Sequence, residues 1–151
     1  MTEKALDVDR LLEMSQAELD ELFRSSPAGD IPCGEGEGTV LLGRGETLSD
    51  IAAKLVHCVA WQGKVFDPDR GELVNLVSPL EIQAVRAKVY KGDSWFDGVE
   101  CIVLDYSETS LIAHWIRDEI RLVAPGLYLG LVYWDHNRVL NFALQFPAPG
   151  R

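Results

Sequence analysis

Positive charge is in short supply. Lysine and arginine number 14 against 24 aspartates and glutamates, a formal net charge of −10. A nucleic-acid binder needs a basic footprint to neutralise phosphates, and the sequence has none. An anionic membrane surface would repel the chain as well. The excess acidity is the charge expected of a soluble surface. Cysteine is also sparse: Cys33, Cys58 and Cys101 are odd in number and far apart. They suit neither a disulfide framework nor a zinc site, so buried or half-buried free thiols are expected. The three histidines, His57, His114 and His136, form no His-x-x-x-His pair, so no metal site is expected, and haem ligation asks for far more than one histidine. No Gly-x-Ser-x-Gly or local cysteine signature supports nucleophilic catalysis. No cofactor is implied.

Long apolar runs are missing too. None approaches the roughly 18 residues of a membrane span, and MTEKALDVDRLLEM lacks the apolar core of a signal peptide. The expectation is a cytoplasmic protein without membrane insertion. Glycine does cluster, at 34, 36 and 38, but the intervening Glu35 and Glu37 would repel a phosphate and no Lys-Ser/Thr follows. A dinucleotide fingerprint would also need a strand before the glycines. These glycines read instead as a strand that another element approaches closely.

What is abundant is strand-forming sequence. From Trp95 to Phe146, runs rich in Val, Ile, Tyr, Trp and Phe are cut by breaks at SET, APG and DHNR. Short strands in series make an antiparallel meander, which must close into a barrel or pack on a second layer. The whole chain, 1–151, reads as one mainly β domain of about eight strands with one or two N-terminal helices. Residues 1–33 are a helical and loop lead-in, 34–146 the barrel with an inserted helix at 47–59, and 147–151 a tail. Ser15 to Phe23 is an amphipathic helix with Ser15 and Glu18 as a capping box, packed as a lid or plug. Thr47 caps the inserted helix. Trp61 to Asp67 is extended, with Lys64 and Phe66 on one side and Gly63 and Val65 on the other. PDRG turns. Glu72 to Val77 and Leu80 to Tyr90 are strands, the latter with Arg86, Lys88 and Tyr90 on a wet face. KGDSWFDG is the next turn, then a strand from Val99 to Tyr106. Ser110 to Val123 fits either a helix or a strand from about 113 to 122, with its place between strands favouring the latter. Leu127 to Trp134 and Val139 to Phe146 form a closing hairpin.

Three stretches carry a likeness to a known family. Trp61-Gln62-Gly63-Lys64-Val65-Phe66, His114-Trp115 with Arg117, and the Gly-rich hairpin through Leu129-Gly130 together resemble small bacterial and fungal proteins with a GXWXG-type domain followed by a lipocalin-like domain. The likeness spans about Gly34 to Phe146. It departs where the chain has Gly34-Glu35-Gly36-Glu37-Gly38 and an extra Ile116. The resemblance implies a lipocalin- or calycin-like barrel and brings no established reaction.

An eight-stranded barrel holds side chains or one small ligand. The candidate ligand-binding residues are Trp61, Tyr106, His114, Arg117, Asp118, Tyr128, Tyr133 and Trp134; the aromatics supply area and polar tips. Arg117, Glu119 and Arg121 alternate as a solvated charge ladder would. His114 and Asp118 then share the apolar parity of Ile116, Ile120 and Leu122, and are the best polar pair in the chain. Asp105, at a strand end, is a candidate general base or a turn former. The expected function is binding of a small apolar or amphipathic molecule in the lumen. Alternatives are a cofactor-free isomerase, cyclase or lyase using His114, Asp118 or Asp105, and a non-catalytic interaction module; a homodimer is compatible with each.

Overall fold

The computed structural model describes residues 6–41, 62–76, 86–109 and 114–147. The expected helix at 47–59, Trp61 and Cys58 lie outside the described residues. Two helices, α1 (Val8–Leu12) and α2 (Gln16–Ser25), precede eight strands: β1 (Gly34–Leu41), β2 (Gly63–Asp67), β3 (Glu72–Leu76), β4 (Arg86–Asp93), β5 (Glu100–Asp105), β6 (Ile116–Ala124), β7 (Leu127–Trp134) and β8 (Asn137–Gln145). Each strand pairs with its sequence neighbours, and β1 pairs with β8, closing the barrel. The expected mainly β, antiparallel barrel of eight strands with N-terminal helices is the architecture observed. Among the described residues no helix is long and apolar enough to cross a membrane.

The ambiguous segment is a strand. β6 pairs with β5 on one side and with β7 on the other. A helix there would leave two sheet edges unpaired. β4 runs on to Asp93 before it turns, three residues past the expected end. Cys101 is buried as expected, whereas Cys33 is exposed.

Strand alternation sorts side chains to two sides of the wall. Phe66, Leu73, Ala87, Val89, Ile102, Leu104, Ile120, Phe142 and Leu144 fill one buried cluster, the barrel interior. Cys101, Val103, Leu127, Leu129, Leu131 and Ala143 belong to a second cluster on the outside, roofed by Leu11, Leu19 and Phe23 of the helices. The capping box of α2 is formed as the sequence predicts, Ser15 Oγ accepting from Glu18 N–H and Glu18 accepting from Ser15 N–H. Burying Leu19 and Phe23 contributes about 1.5–3 kcal/mol each, which fixes this short helix to the barrel wall.

One barrel end is closed by the segment between α2 and β1. Leu122 N–H donates to the Pro27 carbonyl at 3.0 Å, and Tyr128 OH donates to the Asp30 carbonyl at 2.7 Å. Ala28 and Ile31 pack into the interior cluster. Gly29, at φ 75°, lies so close to Leu122 that a Cβ would overlap it. The plug is thus this segment, while the helices cover the outer wall.

The alternation of Arg117, Glu119 and Arg121 is observed, but their expected solvation is not. Glu119 and Arg121 are fully buried, because the turn at residues 94–99 and α2 fold over this outer face. Arg121 grips Asp97 through two bonds, of 2.6 and 2.7 Å. It also donates to the Phe23 carbonyl at 2.9 Å, at the C-terminal end of α2, and to the Val99 carbonyl at 3.0 Å. Glu119 accepts from Ser94 Oγ at 2.6 Å, Trp95 N–H at 2.7 Å and Arg117 Nε at 3.1 Å.

Two outcomes test this clamp. Arg121→Met should lower stability by about 3–5 kcal/mol in urea unfolding, since it strands buried acceptors. The hydrogen bonds from Arg121 hold the Asp97 carboxyl below its ordinary value of 3.8. A lowered folded value means the stabilisation is present above the unfolded value and is lost as pH falls through the folded one. The stability gap between wild type and Asp97→Asn should therefore be full near neutrality and shrink below about pH 4, followed by urea midpoints across pH.

Candidate functional site

Four polar side chains meet inside the otherwise apolar barrel. Lys64 shares the inward parity of Phe66 on β2, Asn75 that of Leu73 on β3, Asp118 that of Ile120 on β6, and Tyr106 follows β5 on the parity of Leu104. Register brings them together: Lys64 stands opposite Asn75, and Leu104 opposite Asp118. Lys64 Nζ donates to Asn75 Oδ1 and to Tyr106 OH, both at 2.7 Å, and lies 3.1 Å from Asp118 Oδ2. Asn75 Nδ2 donates to Tyr106 OH at 2.7 Å. Tyr106 OH points at Asp118 Oδ2, 3.4 Å away. All four residues are buried. Among the described residues nothing donates to the other oxygen of Asp118, Oδ1.

Burial dominates the protonation chemistry here. Burial lowers the pKa of Lys64, but Tyr106 and Asp118 beside it outweigh that effect and hold it above the ordinary lysine value. It is an ammonium, a donor and counter-charge rather than a nucleophile. Burial pushes Tyr106 up to about 12 against the pull of Lys64, so the phenol is neutral. Burial also raises the Asp118 carboxyl, with Lys64 opposing.

Position gives the cluster a direction. Lys64 and Asn75 lie next to the β1–β2 and β3–β4 connections, and Tyr106 and Asp118 flank the β5–β6 connection. Phe66, Tyr128, Leu144 and Phe146 pack with Ala28 of the opposite, plugged end. The interior therefore grades from an apolar floor to a charged, hydrogen-bonding layer near the loops.

Of the residues expected to form the site, Tyr106 and Asp118 are in this layer. Tyr128 faces the interior at the plugged end, where its hydroxyl is held by Asp30. Trp134 ends β7, half-buried, on the parity of Tyr128 and Val132. Tyr133 faces outward, in the cluster under the helices. Arg117 also faces outward, on Glu119 and the Asp93 carbonyl. Trp61 lies outside the described residues. The expected His114–Asp118 pair does not form. His114 is exposed in the turn before β6, its ring 4.4 Å from that of Trp115, while Asp118 is taken by Lys64. Asp105 is the turn former rather than a poised base. Burial would raise its pKa, but bonds from Ser107 N–H and Oγ, at 2.9 and 2.6 Å, and from Tyr90 OH hold it below the ordinary range.

Lys64 and Asn75 were not expected at the site. The one available signal was the shared parity of Lys64 with Phe66, which places a lysine on an apolar face. Among the described residues no three His, Cys, Asp or Glu side chains converge as a metal site would require.

The fold and the interior define a closed eight-stranded antiparallel barrel with a buried charged layer. No protein-family model and no curated relative matches the chain. A solved structure of a protein from Thermomonospora curvata is similar, with a TM-score of 0.62, 18% identity and 89% of each chain covered. At that identity the likeness carries the fold alone.

A double-mutant cycle tests whether the buried layer acts as a unit. Lys64→Met should cost about 3–5 kcal/mol, because it leaves Asp118 buried without its counter-charge. Adding Asp118→Leu should recover much of that loss, giving a coupling of 1 kcal/mol or more, read from urea unfolding of the four proteins.

Proposed function

We propose that the barrel binds one small amphipathic molecule in its interior. Its apolar part would lie against Phe66, Leu73, Leu104 and Phe142, and a hydroxyl or amine head would donate to Asp118. The observation that carries this is Oδ1 of Asp118, a buried carboxylate oxygen with no donor among the described residues. Such an atom costs about 1–3 kcal/mol if left unmade, more when charged, so a site that retains it is suited to a guest that supplies the donor. Lys64 and Tyr106, themselves bonded to Asn75, hold the other oxygen in place and so orient the free one. An apolar wall with a few convergent polar groups is the usual composition of a small-molecule site. The likeness of residues 61–66 to a lipocalin-like family points the same way.

Native mass spectrometry tests this directly. The protein as purified, or after incubation with octanol or octylamine, should carry one added mass that disappears on denaturation. The paired change Lys64→Met with Asp118→Leu, which strands no buried charge, should lose that mass while keeping a native-like circular dichroism spectrum. A bare protein mass under all these conditions would rule the proposal out.

A second reading rests on the raised Asp118 carboxyl beside the neutral Tyr106 phenol. These are acid–base groups of the kind a cofactor-free isomerase, cyclase or lyase uses. A pH–rate profile on a candidate substrate should then shift in Asp118→Asn and Tyr106→Phe. A profile indifferent to both removes this alternative.

A further inference from the structure

A hollow of about 260 Å³ opens on the outer surface, lined by Ser107 after β5, by His114 and Trp115 before β6, by the turn at residues 135–136 and by Trp95. It lies outside the barrel interior and stands independently of the lumenal proposal. Its rings are Trp95, Trp115, His114 and His136, and its charged groups are Asp105, Asp135 and Arg117. Trp95 and Trp115 are 46% and 51% exposed, far more than large aromatics usually are. Trp95 is held rigidly: His136 stacks on it with centroids 4.6 Å apart, and the Arg117 guanidinium lies 4.4 Å from its ring centre.

The turn that supplies two of these residues is a tight hairpin. Asp135 and His136 have φ of 46° and 68°, two consecutive non-glycine residues in the left-handed region. A two-residue hairpin turn of this kind ordinarily carries Asn-Gly. Asp and His are among the side chains that tolerate this region, although Gly adopts it at less cost. The turn is fixed to the other wall of the hollow, Asp135 N–H donating to the Trp115 carbonyl at 3.0 Å. It thus holds two polar side chains at the hollow where Gly would also serve the turn.

The lining narrows the ligand. Asp105 and Asp135 would repel phosphates and carboxylates, and the Arg117 guanidinium already takes the cation's place on the Trp95 ring. An open hollow with exposed rings does not suit a lipid tail, which needs enclosure. What remains is a neutral molecule with an apolar face for the indole and many hydroxyls for carboxylate, imidazole and guanidinium. We propose that this hollow binds a single pyranose ring of a carbohydrate, stacked on Trp115 and hydrogen-bonded by Asp135, His136 and His114.

Saturation-transfer NMR on the full chain with glucose, galactose, mannose and N-acetylglucosamine, each at about 10 mM to reach millimolar affinities, is the test. Transfer to the ring protons of at least one sugar is expected, with affinity reduced tenfold or more in Trp115→Ala. The double change Asp135→Asn with His136→Gly is expected to keep Tm at or above that of the wild type while weakening binding tenfold or more. Binding lost from a protein of undiminished stability cannot be put down to unfolding. The proposal is overturned by no transfer to any of the four sugars, by binding unchanged in Trp115→Ala, or by binding unchanged in the double variant.

Discussion

A wall one backbone thick separates two buried charge networks, and the pleat of β6 keeps them apart. Asp118 and Glu119 are chain neighbours, both buried, and alternation sends them to opposite faces. Inside, Asp118 meets Lys64. Outside, Glu119 holds Arg117, Ser94 and the backbone of Trp95. A slip of one residue would exchange them and place the Arg121 clamp in the apolar interior. The register of β6 against β5 and β7 is therefore fixed by charge as well as by shape.

The outer network explains why short helices and a long turn stay on this barrel. Arg121 ties the Phe23 carbonyl and Asp97 to one point on β6. Arg138 adds a bond to Asp20, and Gln16 one to Asn141 of β8. These contacts lock the roof in place over Leu129 and Leu131. The inner network does something different. It introduces charge where an apolar filling would be less costly.

Much of this was legible in the chain, and the losses have physical causes. Period-two alternation placed Asp118 with Ile116 and Ile120 correctly, because the pleat is a property of the backbone alone. The capping box at Ser15 and Glu18 was legible because both partners are four residues apart or fewer. What alternation does not encode is what lies on the far side of the wall. Arg121 and Glu119 look solvated until the 94–99 turn folds over them. Lys64 meets Asp118 only through the order of strands, across about a third of the chain. His114 seemed to belong with Asp118 because they share a parity, but β6 begins at Ile116 and the turn before it carries the histidine outward.

The strand β1 closes the barrel by changing partners along its length. Gly34 to Glu37 pair with β2, and Glu37 to Leu41 pair with β8. Gly36 leaves room for the Phe146 ring, and Gly63 for the Gly36 carbonyl. Every other ladder joins strands that follow one another in the chain. The seam between β1 and β8 alone joins opposite ends of the meander, so it carries the largest loop-closure entropy. The pairings from β2 to β8 join neighbouring strands, whereas the seam needs both ends of the meander. A chain with the seam unmade would leave the edges of β1 and β8 unpaired, and such edges are templates for pairing with other chains.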